Sequence, residues 1–107
     1  MRGRRQDDIL YVPGRGYIGR LDPVLKGLEG IIESQIVQES LDQLIVYVVP
    51  ASNFRPDNLK TMEKNLFAKV GSEVRVTFEV VPQIARGANG KLRAVVSKVR
   101  DQYPERI

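Results

Sequence analysis

The chain contains no cysteine, no histidine and no tryptophan in 107 residues. Without cysteine there is no disulfide, no thiol nucleophile and no thiolate metal ligand. Without histidine the Ser/His and Cys/His arrangements are excluded, together with the usual zinc ligand sets. Acid–base chemistry is left to carboxylates, lysine or tyrosine, and no obvious pair of these stands out in the sequence. Aromatic residues are few, three Phe and four Tyr, which leaves little for stacking on bases. No apolar run approaches the ~20 residues needed to cross a bilayer as a helix. The basic N-terminus lacks the apolar stretch of a signal peptide, so the expectation is a cytoplasmic protein with no membrane partner.

What is present fits a folded domain. Hydrophobic residues make up 42% of the chain, enough to form a core, and the length allows one domain, 1–107, with a modest interior. The formal net charge is +4. Basic residues gather at Arg2, Arg4, Arg5, Arg15 and Arg20 and again from Arg86 to Arg100. Such a balance points to an anionic partner: nucleic acid, a nucleotide, or the acidic face of another domain.

Periodicity supplies the elements. Asp8 to Val12 and Tyr17 to Arg20 flank the turn Pro13-Gly14-Arg15-Gly16 and read as an N-terminal hairpin. Asp22-Pro23 is a helix start, and Val24, Leu25, Leu28 and Ile31 carry that helix to about Gly30. Glu33 to Ser40 and Leu44 to Val49 form a second hairpin, its second strand expected to be buried on both faces. After the loop Ala51 to Pro56, Leu59, Met62, Leu66, Phe67 and Val70 have helical spacing, with Gly71 as the stop. Glu73 to Val81 alternates as a strand. Leu92, Val95, Val96 and Val99 fit either period, and a helix is the preferred reading; Asp101 to Ile107 is expected to fray. The fold class is α+β, a small antiparallel sheet packed with helices plus an N-terminal β-hairpin.

One cation stands out. Lys91 lies in Pro82-Gln83-Ile84-Ala85-Arg86-Gly87-Ala88-Asn89-Gly90-Lys91-Leu92-Arg93, a polar segment following an apolar strand. Asn89 and Gly90 allow a sharp turn, and a lysine presented there brings a compact charge with three donors to a carboxylate or phosphate. A Walker-type phosphate loop is excluded, because Lys91 is followed by Leu92 and the position five before Gly90 is Ala85 rather than Gly.

Two segments together resemble the C-terminal domain of the adenylate-forming ligases: acyl-CoA synthetases, peptide synthetase adenylation domains and luciferases. Gly3-Arg4-Arg5-Gln6-Asp7-Asp8-Ile9 is similar to the family's Gly-Arg-x-x-Asp-x-Ile element at the hinge between its large and small domains. Pro82 through Lys91-Leu92-Arg93 is similar to its Pro-x-x-x-x-Gly-Lys loop. Pro13 to Gly16, Gln35 to Glu39 and Leu44 to Pro50 look most like the phenylacetate-CoA ligase branch, and within it the capsular polysaccharide biosynthesis proteins. A second Gly-Arg, Gly19-Arg20, is an alternative hinge element. The lysine segment departs from the family in having Ala-Arg-Gly-Ala where Pro-Arg-Thr is usual.

The resemblance implies roles for these residues. Lys91 would be the adenylation lysine, with Asn89, Gly90 and Arg93 supporting its loop. Arg4 would contact the nucleotide, Gln6 would be the hinge, and Asp7 would hold the hinge turn. It further implies ATP/AMP with Mg2+, a carboxylic acid substrate, CoA or another thiol as acceptor, and a mobile small domain that alternates between two half-reactions. The ATP site would lie in a large N-terminal domain, so the chain is expected to be a fragment inactive alone. The rival readings are a small basic RNA-binding module and a regulatory or oligomerisation domain. Tyr47 and Phe78, set in apolar strands, read as core residues rather than base-stacking platforms, which disfavours nucleic acid.

Overall fold

Runs of β-branched residues, broken by glycine turns and one amphipathic helix, set the architecture. The computed structural model describes residues 10–18, 21, 29–85 and 94–103. The described elements are β1 (Leu10–Val12), β2 (Gly16–Ile18), β3 (Ile31–Ser40), β4 (Gln43–Pro50), α1 (Pro56–Val70), β5 (Arg75–Val80), β6 (Val95–Ser97) and a 3-10 turn, Arg100–Gln102. Most of the expected helix from Asp22 lies outside the described residues, but its expected end is corrected: Glu29 and Gly30 form a turn and Ile31 opens β3.

Strands β1 and β2 pair as an antiparallel hairpin in the register Leu10↔Ile18 and Val12↔Gly16. Their turn is closed by the Arg15 amide donating to the Val12 carbonyl at 2.9 Å. Gly14 and Gly16 take φ of +88° and +89°, which L side chains rarely adopt.

The main sheet has the order β5-β4-β3-β6. The central pair β3–β4 is antiparallel around the two-residue turn at Leu41 and Asp42. Each outer strand is parallel to its neighbour, β5 to β4 and β6 to β3. The sheet is therefore mixed and not purely antiparallel. The cause is connection length: α1 carries the chain back before β5 begins, and a long crossover permits parallel pairing that a tight turn does not.

The helix follows its local signals. Arg55 is extended before Pro56, which opens the helix, and the Asn58 side chain accepts the Arg55 amide at 2.7 Å. Asp57 and Lys69 stand in the first and last turns, complementing the helix dipole. Gly71 ends it at φ +86°, its amide donating to the Phe67 carbonyl at 2.8 Å.

Met62, Leu66 and Val70 of α1, Leu10, Val12 and Ile18 of the hairpin, and Ile36, Leu44, Val46, Val48 and Val95 of the sheet form one core. Strand β4 turns only one face to it. Leu44, Val46 and Val48 are fully buried, whereas Ile45 and Tyr47 are half-buried. Burial of both faces, expected from the apolar run, holds only at Val49. Tyr47 does not belong to the core, while Phe78 packs against it.

Two further expectations are corrected at the C-terminus. Val95–Ser97 is a strand, because the free edge of β3 accepts it: the Ile36 amide donates to the Ala94 carbonyl at 2.8 Å and the Lys98 amide to the Gln38 carbonyl at 3.0 Å. The start of the supposed frayed tail is ordered too. Arg100–Gln102 forms a 3-10 turn, and the Tyr103 ring packs with Tyr11 and Tyr17.

Candidate functional site

The strand directions place the two stems of the lysine segment. β4 runs towards Pro50, and β5, parallel to it, ends at the same end of the sheet, where the Val81 amide donates to the Val48 carbonyl. β6 starts beside Ile36 on the opposite edge and runs with β3 away from that end. The stems thus flank the end at which β3 begins and β4 finishes. The two edges are three strand spacings apart, roughly 14 Å. The chain from Ile84 to Ala94 takes ten residue steps, able to span up to ~33 Å. Both stems are anchored, Ile84 and Ala94 each being 7% exposed.

Asn89, Gly90, Lys91 and Arg93 lie outside the described residues, as do Arg4, Gln6 and Asp7 of the hinge element. What the structure describes is the frame around them. β1 begins three residues after Asp7, and β6 four residues after Lys91.

The opposite end of the sheet carries a groove of about 360 Å³ between the β1–β2 turn, the β3–β4 turn and the residues after α1. The Arg15 guanidinium lies over Gly71, where an added Cβ would come within 3.0 Å of Nε. There it complements the C-terminal end of the helix. Asp42 and Glu73 share the groove with Arg15, so its charges are of both signs and select no single ion.

Three residues that the sequence reading did not single out form a polar node between these parts: Gln38, Ser97 and Tyr103. Gln38 is fully buried on the core face of β3. The signal was available, since Gln38 is in phase with Ile36, and a glutamine in a core phase needs buried partners. Beside the node, Lys98 donates to Glu39 at 2.9 Å, and this hydrogen bond is the main reason that the Lys98 pKa is raised.

Residues 10–98 match the CapK C-terminal domain. The chain belongs to the CapK C-terminal domain family. It is 28% identical over 100 residues to Protein CapK of Staphylococcus aureus, a match covering 90% of this chain and 22% of CapK. The chain thus spans about a fifth of that relative. Among solved structures it resembles a 2-hydroxyisobutyryl-CoA ligase in an open conformation, solved with 2-HIB-AMP and CoA. The TM-score is 0.54 at 24% identity, over 85% of this chain and 22% of the ligase. It also resembles a domain of phenylacetate-coenzyme A ligase from Bacteroides vulgatus, with a TM-score of 0.55 at 16% identity, over 89% of this chain and 96% of that one. This CapK-type chain has the fold of the C-terminal domain of an adenylate-forming ligase. No helix among its described residues is long and apolar enough to cross a membrane.

Proposed function

We propose that the chain, residues 1–107 as a single domain, is the mobile C-terminal part of an acyl-adenylating, CoA-ligase-like enzyme of the cytoplasm. In this reading it supplies Lys91 to a site built by a large N-terminal domain. The observation that carries it is the CapK-family match over 10–98, flanked by Gly3-Arg4 ahead of β1 and enclosing Lys91 ahead of β6.

The chemistry needs such a cation. A substrate carboxylate attacks the α-phosphate of ATP, forming the acyl–O–P bond as the bond to pyrophosphate breaks. Both reactants are anions, so an ammonium held between them offsets their repulsion and stabilises charge developing on the phosphate oxygens. Asn89 and Gly90 shape the turn before Lys91, and Arg93 follows it towards β6. Arg4 contacts the nucleotide, Asp7 holds the hinge turn, and rotation about Gln6 withdraws Lys91 so that CoA or another thiol can reach the acyl-adenylate. Two large apolar side chains, Ile32 at 64% and Val80 at 50% exposure, stand at the same sheet end as the stems and suit a surface that meets another domain.

Mg2+ enters with ATP. Among the described residues no group of three or more carboxylates comes together to hold it, and no step here is assigned to it.

The test is ATP–pyrophosphate exchange by the full-length ligase, run with whichever of a panel of aryl and hydroxy acids exchanges fastest. Lys91→Ala should lower the rate by ~10²–10³, the usual cost of one electrostatic contact to the transition state. Agreement with the wild type within about threefold would remove Lys91 from the chemistry.

A further inference from the structure

The amide of Gln38 uses both of its ends. Its Nε2 donates to the Tyr11 carbonyl of β1 at 2.8 Å. That carbonyl can only accept, which fixes the amide orientation. Its Oε1 accepts from the Tyr103 hydroxyl and lies 3.3 Å from Ser97 Oγ. Ser97 Oγ accepts the Val99 amide at 3.3 Å and stands 2.7 Å from Tyr103 Oη. Tyr103 and Ser97 each carry one hydroxyl proton, and the Gln38 Oε1 lies within reach of both hydroxyls as their acceptor. Around it the rings of Tyr11, Tyr17 and Tyr103 lie 5.0 to 6.0 Å apart, normal for tilted aromatic packing.

The node joins two segments that belong to different sheets among the described residues. Tyr11 lies five residues after Gln6, and Ser97 six after Lys91. Among the described residues β6 is a strand of three residues laddered to β3, a short ladder that leaves room for side chains to fix its position. An aliphatic side chain at position 38 could fill the space but could not set where β1 and β6 stand along β3. A hydrogen-bonded amide can, because its donors and acceptors are directional.

We infer that Gln38, Ser97 and Tyr103 are positioning residues that lock hairpin β1–β2 and strand β6 to β3. The segment after the hinge and the segment after Lys91 then move as one body. The importance of this lock for catalysis rests on the reading of Gln6 and Lys91 above; the lock itself does not.

The test is amide hydrogen exchange on the 107-residue chain, wild type against Tyr103→Phe, which keeps the ring and removes the hydroxyl. Exchange should quicken about tenfold in both Tyr11–Ile18 and Ala94–Val99, the scale set by one lost buried hydrogen bond. Met62–Val70 of α1 should keep its wild-type rates. Should Tyr103→Phe fail to fold, Ser97→Ala gives the same paired loosening in weaker form. Faster exchange confined to 94–103, or equal acceleration in all three segments, would overturn the lock. In the full-length ligase Tyr103→Phe should lower the pyrophosphate-exchange kcat about tenfold at unchanged KM for ATP. If Lys91→Ala leaves that exchange intact, the reading of Lys91 fails, while the hydrogen-exchange pattern still decides the lock.

Discussion

Two adjacent strands bury their core faces by different means. On β4 the residues facing α1 are Leu44, Val46 and Val48, all fully buried and all aliphatic. On β3 the corresponding face carries Ile36 and then Gln38, equally buried but held by an amide with partners in β1 and the C-terminal turn. Aliphatic burial is non-directional and contributes in proportion to area. An amide in the same layer gives little net stability, yet it specifies which segments meet and in what register. The first holds the domain together; the second decides how its two motif-bearing ends are carried.

Substitutions on each side separate these contributions. Leu66→Ala, opening a cavity under β4, should cost ~2–5 kcal/mol. That is a large share of the ~5–15 kcal/mol available to a small domain, and the urea midpoint should fall accordingly. A loss below about 1 kcal/mol would mean that helix and sheet are not packed as described. Gln38→Leu keeps most of the volume but takes the amide donor from the Tyr11 carbonyl and one acceptor from the Tyr103 hydroxyl, at a cost of ~1–3 kcal/mol. If Gln38→Leu proves as stable as the wild type, the polar node contributes no more than an aliphatic would, and the contrast collapses. The surface pair Lys98–Glu39 should be the smallest effect, since Lys98 is largely exposed. The raised lysine pKa means that any contribution is fully present below the ordinary lysine range and is lost as pH climbs through the raised value. Lys98→Met should lower the melting temperature only slightly at neutral pH, and the gap to the wild type should close at the alkaline end.

The helix was legible from sequence because its signals agree: Pro56 at the start, aliphatic residues at helical spacing, and Gly71 at a positive φ where the helix must stop. Both hairpins were legible from alternation and from Gly14, Gly16 and the short turn after Ser40. The parallel placement of β5 and β6 was not, since nothing in Arg75–Val80 or Val95–Ser97 encodes which neighbour it joins. Val95, Val96 and Val99 fit two periods, and the open edge of β3 decides between them. Gln38 was visible as a polar residue in a core phase, but its partners are 27 and 65 positions away, and that pairing exists only in the folded chain. Lys91, Gly90 and Arg4 were legible as motifs alone, without the frame that presents them. The structure describes the frame up to Ala85 and again from Ala94, and the motif residues complete it by proposal.

The measurement that bears most directly on the proposed function follows the two proposed half-reactions separately in the full-length protein carrying Lys91→Ala. Acyl-adenylate formation is followed by pyrophosphate exchange, and thioester formation by supplying preformed acyl-adenylate with CoA. The account predicts that the first rate falls by ~10²–10³ while the second stays within about threefold of wild type. Equal losses in both, or none in the first, would contradict it.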